Sequence, residues 1–172
     1  MKKALIITDL QSKYDDYSLE YTKLINGLAE TARKKGYPVI WTRFVGQEWE
    51  VELFGGRAPI PGEEGFEIYE KFDVREDLGD LVIDKSAYNS LSSNELLKIL
   101  NDGGVETIVL AGRSTGVCIL ATAYEALNKG FRVEVIREAL IDGGQEKDSE
   151  GWKLLTSYAG KEINNINETN ED

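Results

Sequence analysis

The sequence predicts an α/β fold of three layers, with helices covering both faces of a central, mostly parallel sheet. Short apolar runs rich in Val and Ile alternate with longer stretches of helical period, the pattern of buried strands joined by helices. Residues 107–111, 115–129 and 131–136 read as strand, helix and strand with a tight turn, a complete βαβ unit. At 172 residues the chain fits one domain, large enough to bury a full core without disulfides or structural metal. That domain is expected over residues 1–164, with 165–172 as a polar C-terminal tail.

The first strand is expected at 4–8. A helix follows over 19–35, with Leu24, Ile25, Leu28 and Ala32 on one face and Gly36 closing it. Residues 38–44 form a second strand. From there to Asp80 the chain is rich in glycine and acids and has little periodicity, so it reads as an excursion over the surface; so long a loop is usually functional or carries small elements of its own. A third strand is expected at 81–84. Ser92 and Glu95 match a capping box, which starts a helix running to about Leu100, ended by Gly103 and Gly104. After the βαβ unit, a last helix is expected near 152–164, and the closing NNINETNED is polar and expected to fray.

Composition narrows the function. No apolar run is long enough to span a bilayer. The start MKKALIITDL places two lysines before an apolar stretch, but that stretch is too short for a secretory signal and an aspartate ends it, so a cytoplasmic location is expected. A single cysteine permits no internal disulfide. A formal net charge of −11 opposes binding to phosphate backbones, so nucleic acid is not expected as a partner. The chain has no histidine, which excludes imidazole as a catalytic base and removes the commonest transition-metal ligand.

In open parallel sheets the ligand crevice lies beyond the carboxyl ends of the strands. Asp9 follows the first strand, Lys85 the third, and Cys118 the strand ending at Ala111. Each has an ordinary alternative: an Asp can cap a turn, a Lys after a strand can be solvated, and a lone Cys can fill core. Together the three types make a complete reaction centre. Cys118 falls in the first turn of a helix, where free amides and the dipole favour a thiolate, and a nearby Lys85 would favour it further. Asp9 can then take the proton that histidine takes elsewhere. The turn Gly112-Arg113-Ser114-Thr115-Gly116 is small and polar, so its amides can face a developing oxyanion; it is equally an ordinary strand-to-helix turn.

These residues resemble the isochorismatase-like cysteine hydrolases, which include nicotinamidases, N-carbamoylsarcosine amidases and ureidoacrylate hydrolases. The resemblance runs from Ala4 to about Ala139 and rests on ALIITDLQ with Asp9, VIDKSAYNSL with Lys85, and LAGRSTGVCILATAYEALNKGFRVEVIREAL with Cys118, in the family's order; PGEEGFEIYEKF also looks like the family's Gly-rich lead into its lysine strand. The resemblance implies an isochorismatase-like, Rossmann-like fold and a catalytic triad of Asp9, Lys85 and Cys118. It implies hydrolysis of a C–N bond in a small amide or ureido compound through a thioester, with no cofactor. It further implies a cis peptide bond between Arg113 and Ser114, the amides of Ser114 and Cys118 as oxyanion donors, and a homo-oligomer, dimer or tetramer.

Departures from the family sharpen this. Zinc-type nicotinamidases resemble one another in an Asp-x-His and a further histidine that this chain cannot supply, so no metal is expected. Enzymes that cleave isochorismate lack the cysteine, since a vinyl ether needs a proton donor rather than a nucleophile. Arg113 stands where the family usually has a small or apolar residue and Glu138-Ala139 where it has Asp-Ala; Arg113 would meet an anionic substrate, solvent or a neighbouring subunit. Tyr14, Trp41, Phe44, Trp49 and Tyr88 lie in segments that reach the family's crevice, although aromatics at strand ends also serve as core. Two other classes remain open: a non-catalytic binding or scaffold member of the fold, and a redox-sensing thiol, which would need an external partner.

Overall fold

The computed structural model describes residues 2–14, 16–53, 55–56, 58–141 and 149–167. Six strands, β1 (Lys3–Thr8), β2 (Val39–Phe44), β3 (Leu81–Lys85), β4 (Thr107–Arg113), β5 (Arg132–Ile141) and β6 (Lys161–Glu162), form one sheet in the order β3-β2-β1-β4-β5-β6. Every described pairing in it is parallel. The helices are α1 (Leu19–Lys34), α2 (Glu48–Leu53), α3 (Asn94–Asp102), α4 (Leu120–Asn128) and α5 (Glu150–Tyr158).

Period-two alternation explains the layers. In β1, Ala4 and Ile6 face a core built with Leu96 and Leu100 of α3, Ala123 and Ala126 of α4, and Trp152 and Leu155 of α5. Leu5 and Ile7 face the opposite core, with Ile25, Leu28, Ala29 and Ala32 of α1. A strand buried on both faces reads as a continuous apolar run, as KALIIT does after its first residue. Each fully buried Leu or Ile contributes roughly 1.5–3 kcal/mol relative to exposure. Lys3 is the exception: it is buried at the strand's start, where its ammonium pairs with Glu134 of β5 at 2.6 Å.

Several boundaries differ from those the sequence predicts. Ser93, not Ser92, caps α3, its hydroxyl accepting the Leu96 amide at 3.3 Å, because residues 90–92 form a separate 3-10 turn. The last helix stops at Tyr158 rather than continuing to 164. At that point Ala159 and Gly160 both donate to the Leu155 carbonyl, and the chain turns into the edge strand β6. Ile163 and Ile166 are buried against the α1-side core, so packing continues past the expected domain boundary at 164. Of the tail, residues 168–172 lie outside the described residues.

The aperiodic segment after β2 contains α2 and then folds back on the carboxyl edge of the sheet. Gln11, fully buried, fastens it there: its amide nitrogen donates to the carbonyls of Phe44 (3.1 Å) and Phe66 (2.7 Å), and its oxygen accepts the Phe44 amide at 2.8 Å. Strand order reverses at β1, with β2 on one side and β4 on the other, which opens the sheet's crevice beside the residues that follow β1 and β4.

Candidate active site

Asp9 leaves β1 in the left-handed region, at φ 56°. Aspartate tolerates this conformation better than most residues, and such a residue persists only where its surroundings over-determine it. Its amide donates to the Thr42 carbonyl at 3.1 Å, and its Oδ1 accepts the Thr42 hydroxyl at 2.8 Å. Its Oδ2 stands 2.8 Å from Lys85 Nζ, an ion pair whose alignment is not that of a hydrogen bond. Both side chains are almost wholly buried, 3% exposed for Asp9 and 0% for Lys85.

Lys85 reaches this position from the end of β3. Its ammonium also donates to the carbonyls of Ala87 (3.1 Å) and Tyr88 (3.2 Å) and lies 5.0 Å from the centre of the Phe44 ring. Phe44 in turn packs on Tyr88, with ring centres 5.7 Å apart. Two carbonyls, a carboxylate and an aromatic face thus compensate a cation taken out of water.

Cys118 comes from the other side of the crevice. Between β4 and α4 the chain makes one π turn, Thr115–Ile119, rather than starting directly as an α-helix. The Ser114 carbonyl receives the amides of Val117 (3.0 Å) and Ile119 (3.2 Å) and bypasses that of Cys118. The peptide bond between Arg113 and Ser114 is cis. Gly112, at φ 107°, sits directly on the Thr8 backbone, where a side chain would collide with the Thr8 carbonyl oxygen; this contact lets β4 close on β1. Cys118 is 9% exposed, and the charges of Asp9 and Lys85 both act on its thiol.

The electrostatics differ from those the sequence suggests. Helix start and lysine together were grounds to expect a thiolate, yet the Cys118 thiol is pushed up to about 12. Burial is the largest cause and the Asp9 carboxylate adds to it, while Lys85 opposes them and loses. At rest the sulfur keeps its proton and Asp9 stands beside it.

The other candidates divide. Phe44 and Tyr88 lie at the site. Trp41 is core, 1% exposed, with its indole bonded to Asp80 at 2.8 Å, and Trp49 faces outward on α2, 67% exposed. Arg113 faces neither solvent nor an open anion site. It is 7% exposed and its guanidinium is taken by Asp16 at 2.8 Å, beneath the rings of Tyr14 and Tyr17. Sequence reasoning missed Thr42 and Gln11; polar side chains at the ends of otherwise apolar strands are the signal that marks both.

Among the described residues, the buried side-chain polar atoms without a hydrogen-bond partner are Thr8 Oγ1, Asp9 Oδ2 and Thr115 Oγ1. All three lie just beyond or at the carboxyl ends of β1 and β4. Unsatisfied groups are rare in native interiors, and three at one end of the sheet single that end out as the candidate site. No three or more Cys, Asp or Glu among the described residues are placed to hold a metal ion, and the chain has no histidine. No helix among these residues is long and apolar enough to cross a membrane.

The protein is a six-stranded parallel α/β chain with an acid, an amine and a thiol at or after the ends of its strands, and comparison with known proteins gives its family. The Isochorismatase domain family matches residues 3–165, and the chain belongs to it. It is thereby a hydrolase of this family. It is 41% identical over 64 residues to maleamate amidohydrolase of Pseudomonas putida, a match covering 37% of this chain and 30% of that protein. It is 24% identical over 148 residues to nicotinamidase 3 of Arabidopsis thaliana, covering 83% of this chain and 75% of the relative. In fold it is similar to N-carbamoylsarcosine amidase from Thermoplasma acidophilum, with TM-score 0.82, 24% identity, and coverage of 98% and 100% of the two chains.

Proposed function

We propose that this hydrolase cleaves the C–N bond of a small amide or ureido substrate through a thioester on Cys118. The observation that carries the reading is a buried Asp9–Lys85 ion pair at 2.8 Å whose two charges both act on the buried Cys118 thiol, the three residues standing at or after the ends of three separate strands. Relatives named for amide hydrolysis, maleamate amidohydrolase and nicotinamidase 3, support the bond type.

A neutral thiol is a weak nucleophile, so its proton must leave as the S–C bond forms. Asp9 is the group placed to take it, and it returns the proton to the departing nitrogen as the C–N bond breaks. Lys85 holds the carboxylate in line and offsets the negative charge that builds on sulfur and oxygen. The Cys118 amide, bypassed by the Ser114 carbonyl, and the Ser114 amide serve as oxyanion donors. Water then attacks the thioester with Asp9 again as base, releasing the acid and the free thiol.

The test is to offer the parent protein and Cys118→Ala a panel of small amides, reading ammonia release and intact mass. Turnover by the parent, a mass increase confined to Cys118 with a slow substrate, and a loss of at least about a thousandfold in the variant are expected. An equally active Cys118→Ala protein sinks the acyl-enzyme.

A further inference from the structure

We infer that Arg113 is a positioning residue for this site: it ties the strand that leads into the nucleophile's turn to the loop that follows Asp9, and so sets the acid relative to the thiol. The inference rests on the reading of Asp9 and Cys118 as base and nucleophile.

Arg113 is the last residue of β4, five positions before Cys118. Among the described residues, the hydrogen-bond and ring partners of its side chain belong to the segment just after Asp9. Its guanidinium donates to Asp16 Oδ1 at 2.8 Å and to the Tyr14 carbonyl at 3.4 Å, and it lies 4.6 Å from the Tyr14 ring centre and 5.7 Å from that of Tyr17. A planar cation between a carboxylate and two aromatic faces is a geometry that arginine fills and lysine does not.

The loop so held is fixed at two further points. Tyr17 donates its hydroxyl to the Gln11 carbonyl at 3.0 Å, and the Lys13 amide donates to the Gly65 carbonyl at 2.7 Å. Gln11 is the residue whose side chain grips the Phe44 backbone, and the Phe44 ring lies under Lys85. Arg113, Tyr17, Gln11, Phe44 and Lys85 therefore form a continuous chain of contacts around Asp9, which itself sits in a left-handed conformation that needs external support. Of these supports, Arg113 is the one that comes from the strand leading into the nucleophile's turn. Its partner Asp16 is 46% exposed, so the pair can be altered from the loop side without opening the core.

Two readings on folded protein test this: the kcat and KM of Arg113→Met, Arg113→Lys and Asp16→Asn, and the pH midpoint of Cys118 alkylation by iodoacetamide. The charged groups that act most strongly on the thiol are Asp9 and Lys85, with Tyr88 alongside. Loss of a nearby cation would raise the midpoint, so a fall reports movement of Asp9 and not the lost guanidinium. Because Asp9 raises the thiol, Asp9→Asn should lower the midpoint and calibrates the direction. Arg113→Met should lower it part of the way and reduce kcat by about ten- to a hundredfold with KM changed by less than about twofold, as small displacements of reacting groups do. Arg113→Lys should recover part of the loss, and Asp16→Asn should lose about two- to threefold, the effect of a half-exposed ion pair.

An unchanged kcat and midpoint in folded Arg113→Met overturns the inference. If that variant does not fold, Asp16→Asn and Arg113→Lys decide it by the same two readings. If the parent turns over no amide, the function proposed above fails, while the alkylation midpoint alone still judges Arg113.

Discussion

Alanine at position 151 should damage the nucleophile turn, whereas alanine at position 116, on the other side of the same contact, should not. Gly151 lies in the first turn of α5 and rests on Gly116, two residues before Cys118. A Cβ on Gly151 would stand 2.5 Å from Gly116 Cα, 2.7 Å from its nitrogen and 3.4 Å from the Thr115 carbonyl carbon. Non-bonded carbons settle at about 3.5–4.0 Å, so helix and turn must separate by about 1 Å. The reverse substitution meets no such barrier, because a Cβ on Gly116 first encounters Gly151 Cα at 3.5 Å. Overpacking of this kind costs about 1–3 kcal/mol, which for a chain of this size lowers Tm by about 3 °C per kcal/mol. A displacement of about 1 Å at a reacting group costs up to about a hundredfold in rate. Gly151→Ala should therefore melt early and lose at least about tenfold in kcat for ammonia release, while Gly116→Ala stays within about threefold of the parent. If the two variants behave alike, or alanine at 116 does the greater harm, close backbone approach is not what seats the turn.

Two further outcomes follow from the charges. Burial raises Tyr17 and Tyr21 above the ordinary phenol range and Cys118 to about 12, so all three favour their neutral forms in the folded state. Their contribution is complete below the unfolded values and is lost as pH rises through about 9 to 12, at up to about 1.4 kcal/mol per pH unit for each group. Urea midpoints measured at pH 8 and pH 10.5 should show this fall, and Cys118→Ala should show a shallower one. For Asp80 burial acts upward, but hydrogen bonds from Arg33, the Arg75 amide and the Trp41 indole prevail and hold its carboxyl below the usual range. Its stabilisation is present above the ordinary carboxylate value and lost as pH falls through the folded one. Asp80→Asn leaves a mostly buried guanidinium short of its principal partner and should cost about 3 kcal/mol in urea denaturation at pH 7, with a smaller difference at pH 3.

The sheet was legible because its strands are buried on both faces and so spell continuous apolar runs. ALIIT, VIWTRF and TIVLAGR announce themselves by composition alone, and a parallel sheet puts the residues that follow its strands along one edge. Edges were less legible. The strand Lys161–Glu162 is two exposed residues long, with no periodicity to read, and sequence pattern absorbed it into the preceding helix. The segment after Phe44 resisted for a different reason. Its order comes from single long-range bonds, such as Gln11 to Phe66 and Asn26 to the Lys71 carbonyl and the Asp73 amide, and a bond across 45 or 55 positions leaves no local trace.

The charge state of the thiol shows where sequence reasoning stops even when every residue is named correctly. Helix position, a lysine and an aspartate were all in view, and the first two lower a thiol while the third raises it. Which side prevails depends on burial, and burial depends on how the chain packs around the π turn and on the glycine contact that brings β4 onto Thr8. Here burial and Asp9 prevail over Lys85. The consequence reaches the proposed chemistry: with a thiolate already formed, Asp9 would have nothing to abstract and could act only on the leaving nitrogen. With a neutral thiol the same carboxylate is needed at both ends of the acylation step. At pH 7, where the thiol still keeps its proton, Asp9→Asn should then lose acylation itself, even with substrates whose leaving group requires no protonation, and a burst of product from such a substrate in that variant at that pH would refute the assignment.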